Sequence, residues 1–184
     1  MTPEDMETIN DIQDNVRGSG PISSSQVKKW AAVPSLDVQG ALTDLIFEHR
    51  QRIDPTLSQH EVRRIVEDYY RQCLIRDIKD SDYAPNRHIA GYEFVGWFKE
   101  LWQDATVPRE YLIHLKEMLR EICLEGKVPR DEILTAVLEH LFEEPALQDL
   151  FVDWKSDPKL CEAFALAKAW GDDHIADAKK LEGK

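Results

Sequence analysis

The phrase Val107-Pro108-Arg109-Glu110 recurs 21 residues later as Val128-Pro129-Arg130-Asp131. Each copy stands before an amphipathic stretch, and Gly126 lies between the two stretches. Proline suits the first turn of a helix, where its missing N–H would have no partner in any case. The acidic residue behind it meets the positive end of the helix dipole. The spacing therefore predicts a helix, a sharp stop and a second helix folded back on the first, over about 108–125 and 129–143. Leu112, Leu115, Leu119 and Ile122 of the first helix are expected to face Ile133, Leu134, Val137 and Leu141 of the second.

The same punctuation runs along the chain. Thr2, Pro3, Glu4 and Asp5 open a helix over 3–17 with a narrow apolar stripe of Met6, Ile9, Ile12 and Val16. Gly18-Ser19-Gly20-Pro21 ends it, and Ser23-Ser24-Ser25 extends the break. Short and medium helices follow at about 26–32 and 36–51, the second capped by Ser35 with Leu42, Leu45 and Ile46 inward. Ser58-Gln59-His60-Glu61 is a capping box, in which serine and glutamate satisfy each other's backbone N–H groups. It opens a long helix to about Lys79, with Val62, Ile65, Val66, Tyr69, Tyr70, Cys73 and Leu74 on one face. The aromatic helix 87–104 places Ala90, Phe94, Trp97, Phe98, Leu101 and Trp102 in one broad sector. Helices at 146–154 and 158–170 complete the chain, the latter capped by Asp157 and ended by Gly171. No segment alternates with period two for long enough to be a strand.

The fold class that follows is all-α: an irregular multi-helix bundle of antiparallel helices with an N-terminal helical arm. The 21-residue echo also suits a short α-solenoid-like array, but a stable array needs three or more repeats and one echo is visible. The expected organisation is an N-terminal helical arm and Gly/Ser-rich linker (1–25), a helical body (26–171) and a charged C-terminal tail (172–184). The arm is expected to dock on the body or on a second subunit, which would make a homodimer.

Three cysteines, Cys73, Cys123 and Cys161, each fall in an apolar helical stripe, and an odd number at wide spacing suggests buried free thiols in a reducing cytoplasm. No basic head followed by an apolar core opens the chain, and no run approaches a membrane span. Net charge is −12. Phosphate backbones repel such a surface, so nucleic acid is not expected as the main partner. The imbalance is concentrated after residue 88, where 12 basic face 20 acidic side chains. Residues 58–88 are balanced, which leaves room for a locally basic surface around 50–76.

Two places could carry chemistry or a ligand. Arg76, Asp80, Asp82, Tyr83, Arg87 and His88 form a charge-dense turn where an apolar helix face becomes ionic. Such a set could bind an anion or move a proton, or could be an ion-paired helix terminus with Asn86 as cap. Gly91 falls within the buried sector of the aromatic helix, which implies close approach by another backbone or by a ligand. Trp97 would line such a pocket, and Tyr92 lies off the stripe, near His88 and Lys99. His114 has Glu110 and Glu117 one turn away, and His140 has Glu143. Paired Glu-x-x-His and His-Glu-x-x-His motifs are missing, so no metal and no cofactor is assigned. No nucleophile elbow, phosphate loop or dinucleotide fingerprint occurs.

The reading these features favour is a non-catalytic cytoplasmic interaction or regulatory protein, meeting a basic partner protein through an acidic helical surface. Glu139, Glu143, Glu144, Asp149 and Asp153 are the expected contacts. The alternatives are a small-molecule-binding bundle with its pocket beside helix 87–104, and an enzyme using the 76–88 cluster.

Overall fold

The computed structural model describes residues 1–76, 81–126, 128 and 130–182. The chain is a bundle of helices whose β content, among the described residues, is one two-residue parallel ladder. It forms two compact units. The first holds Met1–Cys73 and the described residues of Asp77–Asn86; the second holds Leu74–Arg76 and the described residues of Arg87–Lys184.

In the first unit, α1 (Pro3–Arg17) starts on the expected signals. The Asp5 N–H donates to Thr2 Oγ1 at 3.1 Å while the Thr2 N–H donates to Asp5 Oδ2 at 2.7 Å. Two N–H groups that the helix cannot satisfy are thereby paired. The arm docks on the body, packing against α3 (Leu36–His49) with Ile9 and Ile12 wholly buried. Those two side chains have no surface left to offer a second subunit. The other end of α1 is held by Arg52, which donates to the carbonyls of Asn15 (2.7 Å), Val16 (3.2 Å) and Gly20 (3.1 Å). A guanidinium there meets both the unpaired carbonyls and the negative end of the helix dipole. β1 (Ile22–Ser23) pairs with β2 (Ile53–Asp54), and α2 (Ser24–Ala31) lies on α3. Trp30 donates its indole N–H to Asp11 at 3.1 Å, a second tie to α1.

α4 (Gln59–Ile75) carries the capping box as written: the Ser58 N–H reaches Glu61 Oε2 at 2.9 Å and the Glu61 N–H reaches Ser58 Oγ at 3.2 Å. Val62, Val66, Tyr69, Tyr70, Cys73 and Leu74 are buried as the stripe requires. Ile65 is only half-buried.

In the second unit, α5 (Arg87–Gln103) buries Ala90, Phe94, Trp97 and Phe98. α6 (Arg109–Glu125) ends at Gly126, whose φ of 66° makes the expected sharp stop. Both copies of the repeated phrase bury their valine two residues before the helix and an aliphatic residue at its fourth position: Val107 with Leu112, Val128 with Ile133. That pairing is the hydrophobic-staple pattern, and it gives the echo its physical meaning.

The second copy departs from the expected single helix. It comprises α7 (Arg130–Ile133), a π-helical turn (Leu134–Leu138) and α8 (Glu139–Leu141). All eight side chains expected between the Val-Pro helices are buried. The π turn, however, packs most extensively on α5. A Cβ on Gly91 would stand 2.7 Å from both the Cβ and the carbonyl oxygen of Ala136. Of the two uses Gly91 could have had, the structure shows the close approach of another backbone.

α9 (Pro145–Leu150) and a 3-10 turn (Val152–Ser156) lead to α10 (Cys161–Glu182). Here two expectations are corrected. Helix α10 runs through Gly171 into the segment expected as a tail. Gly171 packs so closely on Phe142 that a Cβ would stand 2.5 Å from the Phe142 carbonyl oxygen, so this glycine serves contact and not termination. Cys161 is exposed, because it opens α10 outside the stripe of Leu160, Ala163, Phe164 and Ala167; Cys73 and Cys123 are buried free thiols. Phe142 anchors the core with Phe151 and Phe164, at ring-centroid distances of 5.4 and 5.3 Å.

Two outcomes are expected. Leu119 is wholly buried, so Leu119→Ala should lower the unfolding free energy by about 2–5 kcal/mol in urea titrations. The Lys28 ammonium, 2.7 Å from Glu61, together with the Ser58 amide, holds the Glu61 carboxyl down from 4.5 to about 2. A carboxylate depressed in the folded state stabilises the fold above its ordinary range, and that contribution is lost as pH falls through the folded value. The Glu61 side-chain resonance should therefore titrate near 2, and Lys28→Ala should move the midpoint back toward 4.5.

Candidate functional site

Two members of the charge-dense turn hold the fold, Arg87 through its side chain and Tyr83 through its main chain. Asp80 lies outside the described residues. Arg76, Asp82 and His88 are exposed, Tyr83 is half-buried and Arg87 is buried. Arg87 donates from Nε to the Leu74 carbonyl at 2.8 Å and from Nη2 to the Arg76 carbonyl at 3.0 Å, and pairs with Glu132. It is a clasp between the end of α4 and the start of α5. In the first unit, Ser81 hydrogen-bonds to Asp37, and the Tyr83 carbonyl lies where a Cβ on residue 40 would stand, so Gly40 lets the turn seat on α3. The described members of the sequence-predicted set thus range from exposed to buried.

Residues 50–76 carry six basic and four acidic side chains. A cleft of about 280 Å³ there is lined by Lys28 and Arg64, but also by Glu61 and Asp68, with Gln39 and Leu57. Burial and the neighbouring Glu67 charge push the Asp68 carboxyl up, against the pull of Arg64 and Arg71.

Helix α5 separates its two candidates. Trp97 is core, edge-on to Phe94 and Tyr111 at 6.0 and 6.5 Å. Tyr92 is two-thirds exposed and sets its ring edge against His140, with centroids 5.5 Å apart. Lys99, seven residues along the same helix face, places its ammonium 3.3 Å from Glu143 Oε2.

That corner of the second unit gathers donors. His140 Nδ1 stands 3.0 Å from Glu143 Oε1, and His174 Nδ1, from α10, stands 3.1 Å from the same oxygen. The two imidazoles stack, with centroids 6.2 Å apart and planes 29° apart. His140 Nε2 faces Glu139 Oε1 at 3.4 Å. Burial raises the Glu143 carboxyl, but the two histidines and Lys99 outweigh it and hold the group below its ordinary value. The sequence places His140 beside Glu143 but gives no sign of His174, which arrives from 31 residues beyond Glu143. Its position depends on α10 continuing past Gly171. His114, by contrast, stacks on Tyr111 at 6.0 Å.

The five expected partner contacts divide in the same way. Glu143 and Glu139 belong to the histidine cluster. Asp153 accepts from the buried Lys116 ammonium through both oxygens at 2.8 Å. Glu144 and Asp149 are exposed and, among the described residues, make no ion pair. Asp149 borders a groove of about 450 Å³ whose floor is Val152, Phe164, Ala165 and Ala169 and whose rim also carries Lys155, Lys168 and Asp172. Lys168 is tied to Asp172 at 2.6 Å. No family model, curated protein or solved structure matches this chain.

If Arg87 is a clasp, its loss acts on stability. Arg87→Met should lower the unfolding free energy by about 1.5–3 kcal/mol, the range for hydrogen bonds to a charged group, as measured by urea denaturation. A variant as stable as the parent would refute the clasp.

Proposed function

We propose that this chain is a non-catalytic interaction or regulatory protein of the cytoplasm that binds a basic partner protein through an acidic surface of its second unit. The observation that carries the reading is the acid left over after internal pairing. Glu132, Glu143, Asp153, Asp157 and Asp172 are engaged by cations or histidines of the chain. Glu144 and Asp149 remain exposed, and Asp149 borders a partly apolar groove in which Val152 is 55% exposed. An apolar floor with charge at its edge suits a partner that brings aliphatic side chains flanked by lysine or arginine. Among the described residues the three cysteines form no disulfide, which agrees with a reducing cytoplasm. Among the described residues no helix is long and apolar enough to cross a membrane.

The test is kinetic. A partner isolated by cross-linking from the native host should associate with the protein at a rate that falls as salt rises, because the Debye length shrinks to about 10 Å at 0.1 M. Joint reversal of Glu144 and Asp149 to lysine should cut that rate several-fold while leaving the circular dichroism spectrum unchanged. A salt-independent rate, or one indifferent to the double reversal, would overturn the reading.

A further inference from the structure

We propose that His140, Glu143 and His174 form a binding site for one divalent transition-metal ion of the zinc class. Each residue offers one donor atom, and the three atoms lie within 4.8 Å of one another. Two donors held about 2.0–2.1 Å from a tetrahedral zinc are separated by roughly 3.3 Å. The pairs His140–Glu143 and His174–Glu143, at 3.0 and 3.1 Å, are close to that separation. His174 is half exposed at the surface, free to turn the remaining distance.

The surroundings suit a metal ligand set. Glu139 faces the second ring nitrogen of His140 at 3.4 Å. A carboxylate there holds the proton on Nε2 and turns the Nδ1 lone pair toward the centre, the arrangement that orients metal-binding histidines. The Tyr92 ring edge restricts rotation of the same imidazole. Lys99 fixes Glu143 Oε2, so Oε1 is the oxygen presented to both histidines. Two imidazoles and one carboxylate favour zinc, cobalt, nickel or copper over magnesium and calcium, which prefer oxygen alone. The π turn one residue before Glu139 adds a further mark, since such turns recur at functional sites. With three protein ligands, one coordination position would remain for water or a group from outside.

The experiment is titration of the full chain with Zn(II) alone, at neutral pH, against a chromophoric chelator. One ion per chain should bind with a Kd below about 50 μM, and His140→Ala and His174→Ala should each weaken binding by more than about tenfold. His114→Ala should bind as the parent does. As a check that needs no variant, Zn(II) should shift the ring nitrogen resonances of the His140 and His174 imidazoles and leave those of His49, His60, His88 and His114 in place. Weaker binding than that threshold, unchanged affinity in His174→Ala, or shifts at other histidines would each overturn the proposal.

Discussion

The main-chain contact between Gly171 and Phe142 decides what the surface of the second unit can be. A side chain on residue 171 would meet a carbonyl oxygen at 2.5 Å, and a carbonyl inside a packed turn cannot swing aside as a lysine or methionine could. With glycine there, α10 lies against the chain at Phe142 and continues to Glu182, about three further turns. Three residues past Gly171, His174 reaches Glu143. Gln148 reinforces the same junction: its amide donates to the Phe142 carbonyl at 2.7 Å and to Asp172 at 3.0 Å. One close approach thus sets the position of the second histidine and of the groove wall that α10 supplies.

Charge is distributed by a comparable economy. The chain carries a large excess of acid, and several of its carboxylates pair with specific cations of the fold. Lys116 is nearly buried and would be costly without Asp153. Asp157 accepts from the Lys159 amide and from Arg120, and both interactions hold its carboxyl below the ordinary range. These pairs tie α6 to the 3-10 turn and its exit. Part of the acid of the second unit is thus neutralised within the chain, and Glu144 and Asp149 stand exposed outside those pairs.

Local signals were legible in the sequence because their physics is local. The Thr2 and Ser58 caps, the stop at Gly126 and the buried stripes of α3, α4 and α6 depend on residues within one or two turns of each other. What escaped the sequence depends on contacts across the fold. The π turn at Leu134–Leu138 leaves the hydrophobic pattern of its segment intact, so periodicity does not reveal it. Gly171 reads as a helix end unless the carbonyl it packs against is known. Two of the three members of the histidine cluster, His140 and Glu143, are neighbours in sequence; the third, His174, requires knowing that α10 does not stop at Gly171. Gly91 was read correctly as a point of close approach, though not which helix would fill it. For the charged turn the sequence leaves both an ion-paired helix terminus and a ligand site open, because charge density alone cannot separate a clasp from a cleft.

The chain does not pass from one unit to the other at a single point. Leu74–Arg76 belong to the second unit, yet the turn that seats on Gly40 comes after them and belongs to the first. Arg87 in turn takes its carbonyl acceptors from residues 74 and 76. A cut after Arg76 would strip the cover from α3, and a cut before Arg87 would leave its guanidinium without those acceptors. The two units are interleaved in sequence, so no single cut of the chain divides one from the other.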